Sequence, residues 1–205
     1  FFEFLYWTVG RLIKWIFRLQ PEGLENLPRH GVLLCPNHAS NWDPVLIGVC
    51  LPHNYHLRIM AKEALFHNKA LAWLIRKLGA FPVTRGTADI QSVKTAMQVI
   101  KDGQNLLIFP EGTTIRNGLG YVDGLPPHAH SGIAVIGVRS GATLVPVFAD
   151  GPKKPFHKHR IIFGKPYTPV YTGRRGTSEE MQKIADDILE EAYALGGQKV
   201  GGEPL

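Results

Sequence analysis

The sequence predicts an α/β fold: a single layered domain with a largely parallel central sheet flanked by helices, preceded by an N-terminal amphipathic helix. Three observations predict it. Short apolar and β-branched runs recur along the chain, helical patterns fill most of the gaps between them, and capping residues, Gly and Pro mark the joins. The strand candidates are 31–35, 56–61, 80–84, 105–109, 143–149 and 160–163. Strands that alternate with helices favour parallel pairing through crossover connections.

The helices between them are signalled locally. Asp43 stands where an N-cap belongs, with Pro44 at the first helical position, and predicts a helix over 44–51. A second runs over 69–78 and stops at Gly79. Residues 88–102 place Ile90, Val93, Met97 and Ile100 on one face, and Gly103 closes the helix. A fourth spans 133–140 before Gly141. The last opens with the capping box Thr177-x-x-Glu180 and runs to about Leu195. Residues 21–197 are expected to form this domain, with a frayed tail over 198–205.

Residues 1–20 form the expected amphipathic helix. Arg11, Lys14 and Arg18 fall at i, i+3 and i+7, on one face, with Trp7 and Trp15 beside them. The first nineteen residues carry seven aromatics. Cations and Trp beside a wide apolar surface suit a helix lying in the headgroup layer of an anionic membrane, against packing on the protein's own core. No run of about eighteen apolar residues suggests a spanning helix. The expected location is the cytoplasmic face of a membrane, peripheral or monotopic.

Composition narrows the function classes. The chain has 205 residues, 44% of them hydrophobic, which suits one sizeable core. The formal net charge of +6 favours an anionic partner. A nucleic-acid binder is not expected, because no reading motif accompanies the charge. Cys35 and Cys50 sit in apolar runs and read as buried, reduced thiols. The pairs His128/His130 and His157/His159 offer two ligands each without a carboxylate or thiol cluster, so they read as exposed loop residues and no metal site is expected.

In open α/β sheets ligands bind beyond the carboxyl ends of the strands. Asn37, His38 and Asp43 follow the first strand candidate, Lys62 the second, and Arg85 the third. Glu111, Gly112, Thr113 and Arg116 follow the fourth. If these strands are parallel neighbours, one edge collects a histidine, carboxylates and three cations. That set suits a base acting on a hydroxyl beside a bound phosphate. The residues alone leave two readings of Asp43: a helix cap, or the carboxylate that orients His38.

Asn37-His38-Ala39-Ser40-Asn41-Trp42-Asp43 and Phe109-Pro110-Glu111-Gly112-Thr113-Thr114 resemble the first and third signature blocks of the glycerophospholipid acyltransferase family. Gly79-Ala80-Phe81-Pro82-Val83-Thr84-Arg85 is similar to the second block, and Val145-Pro146-Val147 to the fourth. The resemblance covers roughly residues 20–170. It implies transfer of an acyl group from acyl-CoA or acyl-carrier protein, as co-substrate and without a cofactor, to a lysophospholipid hydroxyl, with lysophosphatidate as the leading acceptor. His38 would be the base and Asp43 its orienting partner. Lys62, Arg85 and Arg116 would contact phosphate, with Glu111, Gly112 and Thr113 placing the acceptor. Val145, Pro146 and Val147 would lie in the donor or oxyanion region. Two departures bear on the acceptor. Thr114 stands where many members that form phosphatidate have arginine, and His130 stands where lysine is frequent.

Overall fold

The computed structural model describes residues 6–83, 90–115, 128–201 and 204–205, with Tyr6 and Trp7 described in backbone only. Seven strands make one sheet: β1 Leu19–Glu22, β2 Val32–Pro36, β3 Leu57–Lys62, β4 Ala80–Val83, β5 Asn105–Leu107, β6 Thr143–Ala149 and β7 His159–Phe163. Their order is β1-β7-β6-β2-β5-β3-β4, and every neighbouring pair is parallel except β6 with β7. Six α-helices accompany it: α1 Arg11–Ile16, α2 Asp43–Cys50, α3 Lys69–Lys77, α4 Ile90–Lys101, α5 Gly132–Ser140 and α6 Ser178–Leu195. The predicted layered α/β domain with a largely parallel sheet is the observed one.

Both faces of the sheet are covered, which is why its central strands are apolar throughout rather than alternating. Leu33, Cys35, Leu106 and Leu144 point to one face, against Ala96 and Ile100 of α4, Ile133 and Ile136 of α5, and Ile184, Ile188 and Tyr193 of α6. Val32, Leu34, Leu107, Val145 and Val147 point to the other, against Ile47 and Cys50 of α2. The period-two alternation along β2 therefore feeds two cores.

Helix ends follow their local signals. Thr177 and Glu180 form the reciprocal capping box of α6, and Gly141 ends α5 in the left-handed region at φ 73°. Gly79 has φ 88°, and a Cβ there would lie 2.4 Å from the Leu57 carbonyl oxygen, so only glycine fits this entry into β4.

Several expectations need correction. β1 is not among the strand candidates and overlaps the end of the span expected to be helical. It is an exposed edge strand on β7, where the N–H that Pro21 lacks is not needed by a second neighbour. The N-terminal helix is shorter than expected: among the described residues a π-helical turn over Tyr6–Gly10 runs directly into α1, which ends at Ile16. Arg18 falls beyond that end with φ 42°, so it cannot extend a stripe of cations with Arg11 and Lys14. Phe17 is buried against Trp42 and His159, which pins the chain just past the helix. The tail is tied down rather than frayed: the Leu205 N–H donates to the Gly197 carbonyl, Gln198 bridges Pro204, and Val200 packs on the core. His159 is a buried strand residue, not an exposed loop histidine.

Candidate active site

The sheet order places β2, β5, β3 and β4 side by side and parallel, so the residues that follow them gather at one edge. Asn37 sets the geometry where β2 ends. Its side-chain amide donates to the Ala149 carbonyl at 3.0 Å and accepts from the Ala149 N–H at 2.7 Å. The side chain thus continues the β2–β6 ladder, and the main chain is released to turn.

His38 comes next and is held from all sides. Its Nδ1 lies 3.2 Å from Asp43 Oδ2. Its ring stacks on Phe109 at a centroid distance of 3.8 Å. Its main-chain N–H donates to Glu111 Oε2 at 2.7 Å, and its carbonyl accepts from the Ile115 N–H at 2.7 Å. Its Nε2 lies 3.0 Å from Thr114 Oγ1. The segment 109–115 therefore grips ring, N–H, carbonyl and Nε2 at once. A carboxylate only accepts, so Nδ1 carries the proton toward Asp43, and the neutral ring presents its lone pair at Nε2.

Asp43 is not the helix cap. Trp42 takes that place without a side-chain bond, and Asp43 is the first residue of α2. Its Oδ2 turns back over the loop, accepting from the Ser40 N–H at 2.7 Å as well as facing His38. The five-residue spacing thus spans one loop that closes on itself.

Glu111 is buried, and both its oxygens are occupied within the protein: Oε2 by the His38 N–H, and Oε1 by the Tyr193 hydroxyl at 2.6 Å. In this geometry it braces the His38 backbone. Burial lifts its carboxyl to about 7, against the opposing effect of those two donors, with the Asp43 charge raising it further. The same burial, with the Glu111 charge, pushes the Tyr193 phenol up.

Gly112 turns at φ 63°, and a Cβ there would meet the His130 ring at 2.8 Å. His130, at the position where lysine is frequent, therefore packs against this turn, and its N–H donates to the Pro110 carbonyl. Thr113 is half-buried in the same turn. Lys62 sits exposed at the end of β3. Arg85 and Arg116 lie outside the described residues. Val145 and Val147 are fully buried in the sheet, and Pro146 has no N–H to donate. The three are wall rather than surface. Pro146 lies in an inner strand, where its carbonyl accepts from the Gly164 N–H just past the end of β7 and no N–H is required of it. Among the described residues, no group of three His, Cys, Asp or Glu is placed to hold a metal ion.

Tyr193 joins the site from outside every signature block, holding Glu111 Oε1 behind the His38 main chain. Nothing in the sequence points to Tyr193, which lies on the apolar face of α6 some eighty residues from Glu111.

The acyltransferase family model matches residues 18–150, more than half of the chain. The chain belongs to the acyltransferase family. It is 34% identical over 149 residues to a 1-acyl-sn-glycerol-3-phosphate acyltransferase of Bacillus subtilis, covering 69% of this chain and 70% of that protein. The enzyme of the same name from Streptococcus pneumoniae is 28% identical over 178 residues, covering 84% and 62%. A lyso-ornithine lipid O-acyltransferase of Pseudomonas aeruginosa is 32% identical over 110 residues, covering 53% and 40%. The crystal structure of the 1-acyl-sn-glycerophosphate acyltransferase PlsC of Thermotoga maritima superposes with a TM-score of 0.67 over 96% of this acyltransferase and 80% of that chain, at 22% identity. That likeness shows the shared α/β fold.

Proposed function

We propose that this acyltransferase moves a fatty acyl group from acyl-CoA or acyl-carrier protein to the free hydroxyl of 1-acylglycerol-3-phosphate, giving phosphatidate. The observation that carries the reading is the His38–Asp43 contact, with Nε2 turned away from the carboxylate toward a hydroxyl. In the proposed step His38 Nε2 takes the proton of the acceptor hydroxyl as its oxygen bonds to the thioester carbonyl carbon. The tetrahedral adduct then collapses and the C–S bond breaks. The proton passes from His38 to the departing sulfur, leaving an ester and a free thiol. Asp43 stabilises the imidazolium formed between the two transfers. Lys62, Arg85 and Arg116 are the proposed phosphate contacts.

An anionic membrane surface is the proposed working place, on its cytoplasmic face. Among the described residues no helix is long and apolar enough to cross a membrane. Instead Trp15 (66% exposed), Phe156 (60%) and Trp42 (50%) stand out at the surface. Trp15 meets Phe156 edge-on, and Trp42 adjoins Asp43, so the apolar patch borders the site.

Thr114 supports a second reading of the acceptor. The side chain beside His38 is an uncharged hydroxyl rather than an arginine, which suits an acceptor with a larger or less anionic head group. Thiol release with an acyl-CoA and a panel of lysophosphatidate, lyso-ornithine lipid and lysophosphatidylcholine decides. Release that needs lysophosphatidate supports the first reading, and release that needs another acceptor supports the second. Release without any acceptor would mark a thioesterase and overturn both.

A further inference from the structure

Behind the His38–Asp43 pair lies a cation that no signature block contains. Lys153 sits in the loop after β6, half-buried as a residue and with a fully buried side chain. Its Nζ lies 3.6 Å from Asp43 Oδ1 and 3.0 Å from Asp150 Oδ1. Asp150 Oδ1 is also 3.1 Å from the Nδ1 of buried His159, whose Nε2 faces the Lys154 main chain. Asp43 Oδ1 is buried and accepts no hydrogen bond. A buried carboxylate oxygen without a donor is costly unless a charge compensates it. The Lys153 ammonium is that charge.

We propose that Lys153 is a positioning residue of the dyad: its buried ammonium holds the Asp43 carboxylate anionic and keeps Oδ2 turned toward His38. Asp150 and His159 hold Lys153 in place from behind. The inference rests on the reading of His38 and Asp43 as the catalytic pair. It gives the fourth block a part in the site: β6 carries the chain to the lysine behind Asp43.

Among the described residues, the charged and titratable groups that act on Asp43 are His38 from the preceding loop, Lys153 and Asp150 from the loop after β6, and Glu111 and Tyr193, while Lys14 of α1 acts on Cys50 at the far end of the same helix. Lys153 is the cation among them that contacts Asp43 in both protonation states of His38. Removing a nearby positive charge makes both members of the dyad easier to protonate. The acid limb of activity, which needs anionic Asp43 and neutral His38, then moves to higher pH.

The test compares wild type, Lys153→Met, Lys153→Gln and Lys153→Arg by kcat and kcat/KM against pH, by thermal midpoint, and by NMR titration of the His38 ring. Lys153→Met is expected to lose roughly 10- to 100-fold in kcat, the range for outer partners of metal-bound histidines. Its acid limb is expected to move up by about one unit or more, with acceptor KM little changed. The His38 titration moves the same way, and Lys153→Arg keeps the wild-type limb. Should Lys153→Met fail to fold, Lys153→Gln keeps a donor, loses the charge and carries the same comparison. An unmoved acid limb together with an unmoved His38 titration overturns the proposal, whatever happens to the thermal midpoint. The NMR arm needs no turnover. If wild type transfers no acyl group, the functional reading fails, while the coupling of Lys153 to the dyad still stands or falls on the His38 titration.

Discussion

Thr114 Oγ1 lies 3.0 Å from His38 Nε2 and 3.0 Å from Asn41 Oδ1, so one hydroxyl proton has two acceptors within reach. With a neutral ring the hydroxyl can donate to Nε2. With a protonated ring it accepts from Nε2–H and donates to Asn41 Oδ1. Thr114 thus occupies the place that the acceptor hydroxyl would take in the proposed step, and it can satisfy His38 in either state.

Exchange of Thr114 separates these roles. Thr114→Val should leave kcat within about tenfold, because the acceptor supplies its own hydroxyl. Thr114→Arg should raise kcat/KM for lysophosphatidate relative to a lysophospholipid without a phosphomonoester. A charge-assisted contact of about 1.5–3 kcal/mol corresponds to roughly 10- to 100-fold. A loss with every acceptor alike would show that arginine obstructs His38 instead of reading phosphate. Steady-state kinetics with paired acceptors gives the answer.

The dyad itself is tested by isosteric change. Asp43→Asn keeps an acceptor for the Ser40 N–H but no longer fixes the proton on His38 Nδ1. Turnover should fall by about three to four orders of magnitude, by analogy with the same change in a serine-protease triad. His38→Ala should fall at least as far, and the double variant little further, since the two act as a unit. Near-normal kcat in Asp43→Asn, with a normal thermal midpoint, would remove Asp43 from the mechanism.

Glu111 predicts a pH dependence of stability. Its folded-state carboxyl titrates at about 7, above its value in the unfolded chain. The folded protein therefore holds this proton where the unfolded chain has lost it. The contribution is fully present below about pH 4 and is lost as pH rises through about 7. Its size is on the order of 3–4 kcal/mol. Denaturant unfolding of wild type and Glu111→Gln between pH 5 and 8 should show a smaller fall with pH in the variant. Parallel curves would place the Glu111 titration elsewhere.

Membrane contact should depend on the exposed aromatic patch. Trp15→Ala combined with Phe156→Ala should reduce pelleting with anionic liposomes, and added salt should weaken binding of the wild type. Equal sedimentation of the double variant and wild type would move the contact away from this face.

The sequence by itself determined the α/β layers and the largely parallel sheet, while the order of the strands came only with the structure. The layers and the parallel pairing follow from local rules: apolar runs of strand length, the Thr177–Glu180 box, and glycines such as Gly79 where no Cβ fits. It also singled out His38 and Asp43, because a base and a carboxylate five residues apart can meet across one loop. It misjudged what local pattern cannot hold. Residues 19–22 show no strand pattern until β7 is seen beside them, and a stripe of cations reads as one helix until Phe17 is buried and Arg18 bends the chain. Only the tertiary structure decided what each site residue faces. Glu111 meets Tyr193 from a helix eighty-two positions away, and Asp43 meets Lys153 from a loop beyond the fourth block. The physical reason is that a buried charge takes its partner from whatever the fold packs against it, at a sequence distance that no periodicity records.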